Sequence, residues 1–157
     1  MKHALFAILV LAPLAHAQPT DRRALQRGTP CSWDATFRTG AAVVPCGKTE
    51  GTVLYSEGKL PKLKAHLQGV PWRGKNFRGD GTMINRWPGF EAVTATVSTE
   101  ASWFDGLPCV VMQYAANAPI FPGIRDEIRE VSPGVWLGRS YDGASGTLKG
   151  YFSLRSH

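Results

Sequence analysis

The chain has 157 residues and a mass of 17.1 kDa, with 18 Lys and Arg against 12 Asp and Glu, and 43% of its residues are hydrophobic. That size suits one domain and excludes a large barrel enzyme or a two-domain dehydrogenase, and the composition excludes a disordered tail. Its 17 Gly and 11 Pro favour many turns and short strands.

The first residues, Met1-Lys2-His3, lead into an apolar run over 4–12 that ends in Ala15-His16-Ala17. A basic start, a short apolar run and a small-x-small end predict a signal peptide over 1–17, cleaved after Ala17. The run is too short to span a bilayer, which takes about 20 residues, so a secreted or periplasmic protein with no membrane span is expected. Cleavage removes His3 and His16 and leaves only His66 and His157. A Ser-His-Asp triad and a multi-histidine metal site are thereby disfavoured; neither a metal nor a cofactor is expected.

Residues 18–50 read as an N-terminal segment carrying a disulfide. Its stretch over 20–28 has a cap-like start and a Gly stop, fitting either a short helix or a leader. A Cys31–Cys46 bridge would close a loop of about 15 residues, and Cys109, at the head of an apolar run, reads as a buried free thiol. From 51 to 157 the pattern is a single β domain. One short helix is predicted over 61–68, with Pro61 near its start, Gly69 after its end and Leu60, Leu63 and Leu67 at helical spacing. Strands are predicted over 51–56, 71–78, 81–87, 90–99, 101–104, 108–115, 124–131, 134–141 and 147–154, with Gly or Pro in most of the gaps. Short strands joined by tight turns predict a mainly β fold, a small antiparallel up-and-down barrel of calycin-like architecture.

The most informative strand is 124–131. Side chains alternate along a strand, so Arg125, Glu127 and Arg129 share one face, and Ile124, Asp126, Ile128 and Glu130 the other. With the first face inward, two guanidiniums could clamp a carboxylate or phosphate. With the second inward, Asp126 and Glu130 would stand in a cavity where burial raises a carboxyl pKa, as acid–base catalysis requires. With neither inward, the charges guard an edge strand. Trp72, Trp136 and Tyr151 are candidate pocket aromatics beside Arg125, Glu127 and Arg129. Tyr114 and Tyr141 could assist Asp126 or Glu130 in catalysis. Arg73, Lys75, Arg78 and Arg86 interleave with Trp72, Phe77 and Trp87, but the charges are spread thinly, and secretion argues against a nucleic-acid partner.

Trp72-Arg73-Gly74-Lys75-x-Phe77 resembles the Trp-x-Gly-Lys-x-Phe stretch of small proteins with a GXWXG domain. Ile128-Arg129-Glu130-Val131, Leu137-Gly138 and Phe152-Ser153-Leu154 follow in the order seen in those proteins. The resemblance spans about residues 50–155 and departs where Val70-Pro71 replaces the leading Gly-x. It implies a fold rather than an activity. The leading functional expectation is a binding protein for a small amphipathic or apolar ligand, possibly an anionic one. The alternatives are a cofactor-free isomerase, cyclase or hydrolase, and an envelope protein-interaction or inhibitor module in contact with an anionic surface.

Overall fold

The structure, a computed structural model, describes residues 21–56 and 71–156. The segment read as a signal peptide and the helix expected over 61–68 lie outside the described residues. Among the described residues eight strands follow two helices: α1 (Arg22–Gln26), α2 (Pro30–Thr39), β1 (Gly47–Ser56), β2 (Gly74–Phe77), β3 (Thr82–Trp87), β4 (Phe90–Ala101), β5 (Pro108–Tyr114), β6 (Ile124–Ser132), β7 (Val135–Asp142) and β8 (Leu148–Ser156). Each strand pairs antiparallel with the next, and β8 pairs with β1 to close the barrel. Closure leaves no sheet edge, and eight strands enclose a space that side chains fill or that holds one small ligand.

Eight strands replace the nine expected. The segment over 101–104 is the end of β4 and the start of a turn in which Ser102 N donates to Leu107 O. Gly79, Gly81, Gly89, Gly106, Gly134 and Gly146 sit in hairpin turns at positive φ, which explains the even Gly punctuation. The interior holds Phe77, Met83, Val110, Met112, Ile128, Trp136, Phe152 and Leu154. Gly138 makes room inside, because a Cβ there would stand 2.3 Å from the Phe152 ring.

A second core lies outside the barrel, where α1 and α2 cover β5, β7 and β8 through Leu25, Trp33, Phe37, Cys109, Val111, Leu137 and Tyr151. Helix α2 starts at a capping box formed by Thr29 and Ser32, has Pro30 in its first turn, and buries Trp33 and Phe37 four residues apart. The disulfide expected within 18–50 is not formed. Cys31 and Cys46 are both free and exposed. Cys31 lies in the first turn of a ten-residue helix, roughly 15 Å long at 1.5 Å per residue, whereas Cys46 precedes β1. Between them Ala41 bridges Glu130, and Val43 O accepts from Trp136 Nε1 at 2.8 Å. The segment after α2 therefore crosses the barrel end that carries the β6–β7 turn.

Candidate functional site: a polar floor in an apolar cavity

The structure turns the Asp126–Ile128 face of β6 inward and the Arg125–Glu127–Arg129 face outward. The outward face is nonetheless buried. The Arg125 guanidinium meets Glu100 at 2.7 Å and Glu127 at 2.9 Å and lies over the Trp103 ring. Glu127 also accepts from Ser102 Oγ at 2.5 Å and Trp103 N at 2.9 Å. Arg129 forks onto both Asp105 oxygens at 2.7 Å and donates to the carbonyls of Phe37, Leu107 and Pro108. These three side chains are occupied in fastening α2 and the β4–β5 turn to the barrel wall, outside the cavity.

Other predicted residues divide in the same way. Tyr141 accepts from Arg139 Nε at 2.8 Å on the outer face. Tyr151 packs on Trp33 and donates to Asp34 at 2.6 Å, while also contributing to the cavity wall. Glu130 accepts from Gly134 N at 2.8 Å and so braces the β6–β7 turn. Trp136 points inside, tied to Val43 at the covered end. Trp72, Tyr114 and Asp126 meet at the cavity.

That cavity has a volume of about 130 Å³. Its apolar wall comes from Val53, Trp72, Phe121, Ile124 and Phe152; Lys75, Asn85, Tyr114, Asp126 and Ser140 form one polar group on it, and Tyr55, Ser56, Lys149 and Tyr151 also line it. Each residue of the polar group follows the period of two on a strand, beside inward apolar residues. Lys75 shares a face with Phe77, Asn85 with Met83 and Trp87, Tyr114 with Val110 and Met112, Asp126 with Ile128, and Ser140 with Trp136 and Gly138.

Lys75 is the centre of this group. Its ammonium donates to Tyr114 OH at 2.6 Å, Asp126 Oδ2 at 2.9 Å and Asn85 Oδ1 at 3.2 Å, using all three protons. Asn85 Oδ1 also accepts from Trp72 Nε1 at 3.1 Å, and Ser140 Oγ donates to Asp126 Oδ1. Asn85 Nδ2 donates to Tyr114 OH at 2.9 Å and Val93 O at 3.0 Å. Burial pulls the Lys75 pKa down, but Asp126 and then Tyr114 outweigh it and leave it above the ordinary 10.5. The Tyr114 hydroxyl is pushed up to about 12, chiefly by burial, against the opposing pull of Lys75. The floor therefore holds a charged lysine and a neutral phenol at neutral pH.

Backbone strain collects at the same place. Among the described residues, the non-glycine residues with positive φ are Val93 at 62° and Phe121 at 64°. Val93 sits at the β3–β4 bulge and offers its carbonyl to Asn85; Phe121 packs on Tyr114 with ring centroids 5.4 Å apart and lines the cavity. A left-handed β-branched or aromatic residue costs of order 1–3 kcal/mol and persists where its surroundings impose it, commonly at functional sites.

In the sequence Lys75 stands out in a basic–aromatic stretch and in the Trp-x-Gly-Lys-x-Phe motif but not as a site residue, and neither Asn85 nor Ser140 stands out. The signal was present for the first: Phe77 is an obvious core residue, and Lys75 lies two positions before it. Among the described residues no three His, Cys, Asp or Glu side chains converge as metal ligands, and no helix is long and apolar enough to cross a membrane.

The fold has a solved counterpart. A crystal structure of a protein from Thermomonospora curvata is similar, with a TM-score of 0.57 at 15% sequence identity, over 83% of this chain and 88% of that one. No family model matches the sequence, and no curated protein does. At that identity the likeness extends to the fold.

Proposed function

We propose that the chain is a binding protein for a small amphipathic ligand, acting in a secreted or periplasmic setting, with the ligand held in the barrel interior. The observation that carries this reading is an apolar cavity floored by the Lys75–Asp126–Tyr114–Asn85 group. Binding sites commonly combine an apolar wall with a few convergent polar groups. The enclosed space sets the scale: an apolar cavity of about 150 Å³ holds one benzene molecule, so 130 Å³ takes one ring or a short branched chain at the floor. Trp72, Gly74, Lys75 and Phe77, the residues that carry the resemblance to GXWXG-domain proteins, lie at or beside the floor. Trp72 and Lys75 build the floor, and Phe77 belongs to the interior core. Gly74, at φ 124°, has no room for a Cβ, which would stand 2.2 Å from Thr49 O.

Native mass spectrometry of the chain purified from its own compartment tests the reading. A bound species of about one-ring size, lost on unfolding, is expected. Bare protein, together with no thermal shift from any one-ring compound, would refute it. A second reading, cofactor-free acid–base catalysis, is favoured by the meeting of Asp126 and Tyr114 beside Lys75. Turnover abolished in Asp126→Asn, with ligand binding kept, would support it over simple binding.

A further inference from the structure

We infer that the cavity selects an uncharged ligand with an oxygen acceptor, of the class of small cyclic ketones, aldehydes or lactones, and that the Tyr114 hydroxyl is the donor that reads it. This inference rests on the binding reading above. Its first support is charge. The floor combines one ammonium with one carboxylate, Lys75 and Asp126, with side chains 3% and 7% exposed. The pair is already neutral, so an added carboxylate or ammonium would bring an uncompensated charge into an apolar chamber, which is strongly disfavoured. The three buried arginines that could offset an anion, Arg125, Arg129 and Arg139, face away and are bound to acidic partners, and Lys149, which also lines the cavity, faces the Asp142 carboxylate at 3.9 Å.

The second support is a count of hydrogen-bonding valences. A phenol accepts two hydrogen bonds and donates one. Tyr114 OH accepts from Lys75 at 2.6 Å and from Asn85 Nδ2 at 2.9 Å, which fills its acceptor positions. Its own proton has Asn85 Oδ1 at 3.3 Å and Asp126 Oδ2 at 3.4 Å. Both distances exceed the 2.5–3.0 Å range of ordinary O–H···O bonds, and Asn85 Oδ1 already accepts from Lys75 and Trp72. Every other donor of the group is used: three on Lys75, two on Asn85, the Trp72 indole and the Ser140 hydroxyl. The floor therefore has one under-used proton, on an oxygen polarised by an adjacent ammonium, at a cavity of one-ring size. A neutral carbonyl oxygen is the group that completes it. Phe121, held at positive φ against the Tyr114 ring, confines the ligand beside that oxygen.

The test is calorimetric titration of the full chain at pH 7 with toluene, cyclohexanone and cyclohexanecarboxylate, repeated on Tyr114→Phe. Cyclohexanone is expected to bind more tightly than toluene by roughly three- to ten-fold, the range for one net hydrogen bond, and cyclohexanecarboxylate more weakly than either. In Tyr114→Phe the ketone-to-toluene ratio should fall to about one; the ratio is read within one variant, so a general change in affinity cancels. Equal binding of toluene and ketone by the wild type, or tighter binding of the carboxylate, would overturn the ligand class and leave the binding reading standing. An unchanged ratio in Tyr114→Phe would overturn the role of Tyr114. Binding of none of the three would overturn the ligand class, and a bare native mass spectrum beside it would overturn the binding reading as well. If Tyr114→Phe does not fold, Phe121→Ala, which leaves the hydroxyl in place, should keep the ratio while weakening both ligands, and loss of the ratio there would count against the inference.

Discussion

Replacing Lys75 by Met removes one half of a buried ion pair and leaves the other half in place. Asp126 would keep Ser140 as a donor but lose its cation at 2.9 Å, and Tyr114 and Asn85 would each lose a short bond. Breaking a buried pair from one side costs about 3–5 kcal/mol, because the survivor is left as an uncompensated buried charge. At about 2–4 °C per kcal/mol for a domain of this size, Lys75→Met should melt roughly 6–20 °C below the wild type. Asp126→Leu should fall by a similar amount, since it strands the ammonium. The double variant Lys75→Met/Asp126→Leu has no stranded charge and should be more stable than either single variant. The coupling energy is expected at about 2–3 kcal/mol, at the upper end of the range for interacting neighbours. Urea unfolding followed by tryptophan fluorescence measures all four proteins, with equal m values as the check on two-state behaviour. Strictly additive losses in the double variant would refute the reasoning, because they would mean that the two side chains do not share a buried charge interaction.

Arg129→Met should cost about 3–5 kcal/mol of stability for the same physical reason, yet leave ring affinity unchanged, because Arg129 binds Asp105 and α2 rather than the cavity; loss of binding in a folded Arg129→Met would contradict this. The Arg129 hydrogen bonds hold the Asp105 carboxyl below its ordinary 3.8. The stabilisation from Asp105 is therefore present above that value and lost as pH falls through the lowered one, and the acid limb of stability should be flatter in Arg129→Met. On the alkaline side, burial first and then Glu127 push the Cys109 thiol from 9.0 up to about 12. The unfolded chain ionises there first, so stability should fall as pH rises from about 9 to 12, and Cys109→Ala should remove part of that slope in pH-dependent urea titrations. Ellman titration of the native protein should find two fast thiols, Cys31 and Cys46, with a third reacting only on unfolding; a single fast thiol or none would contradict the described geometry.

The barrel was legible because its hairpin turns are marked by residues with few alternatives. Gly89, Gly106 and Gly134 sit at positive φ between apolar-alternating runs, so strand order followed from spacing, and the count was off by one because 101–104 is the end of β4 and a turn rather than a separate strand. Two features were hidden for different reasons. Helix α2 carries its own start signal in Thr29-Pro30 and its apolar spacing in Trp33 and Phe37, but the two cysteines nearby suggested a cross-link as the source of order. The orientation of β6 was hidden because both faces carry charge. Its neighbours decide it: Asp126 pairs across with Met112 and Ser140, whose strands put large apolar groups inward at the same level. Only the assembled barrel brings those strands together.

The distribution of charge then explains why the site could not be chosen from residue type. Arginines have rigid forks that match carboxylates and backbone carbonyls, and here Arg125, Arg129 and Arg139 all serve the outer wall, each over an aromatic ring and each with an acidic partner. The interior uses lysine. An ammonium is compact, and its three donors can reach three different strands from one point: Lys75 reaches β3, β5 and β6 at Asn85, Tyr114 and Asp126. A fork spreads its donors in one plane, so the same three contacts would require those strands to move. Lys75→Arg therefore tests whether the floor is a point-charge hub. Ring affinity should drop while Lys75→Arg stays folded, because the longer, planar head must enter the cavity to find room. Wild-type affinity in Lys75→Arg would show that the floor is only a charge and not a geometry.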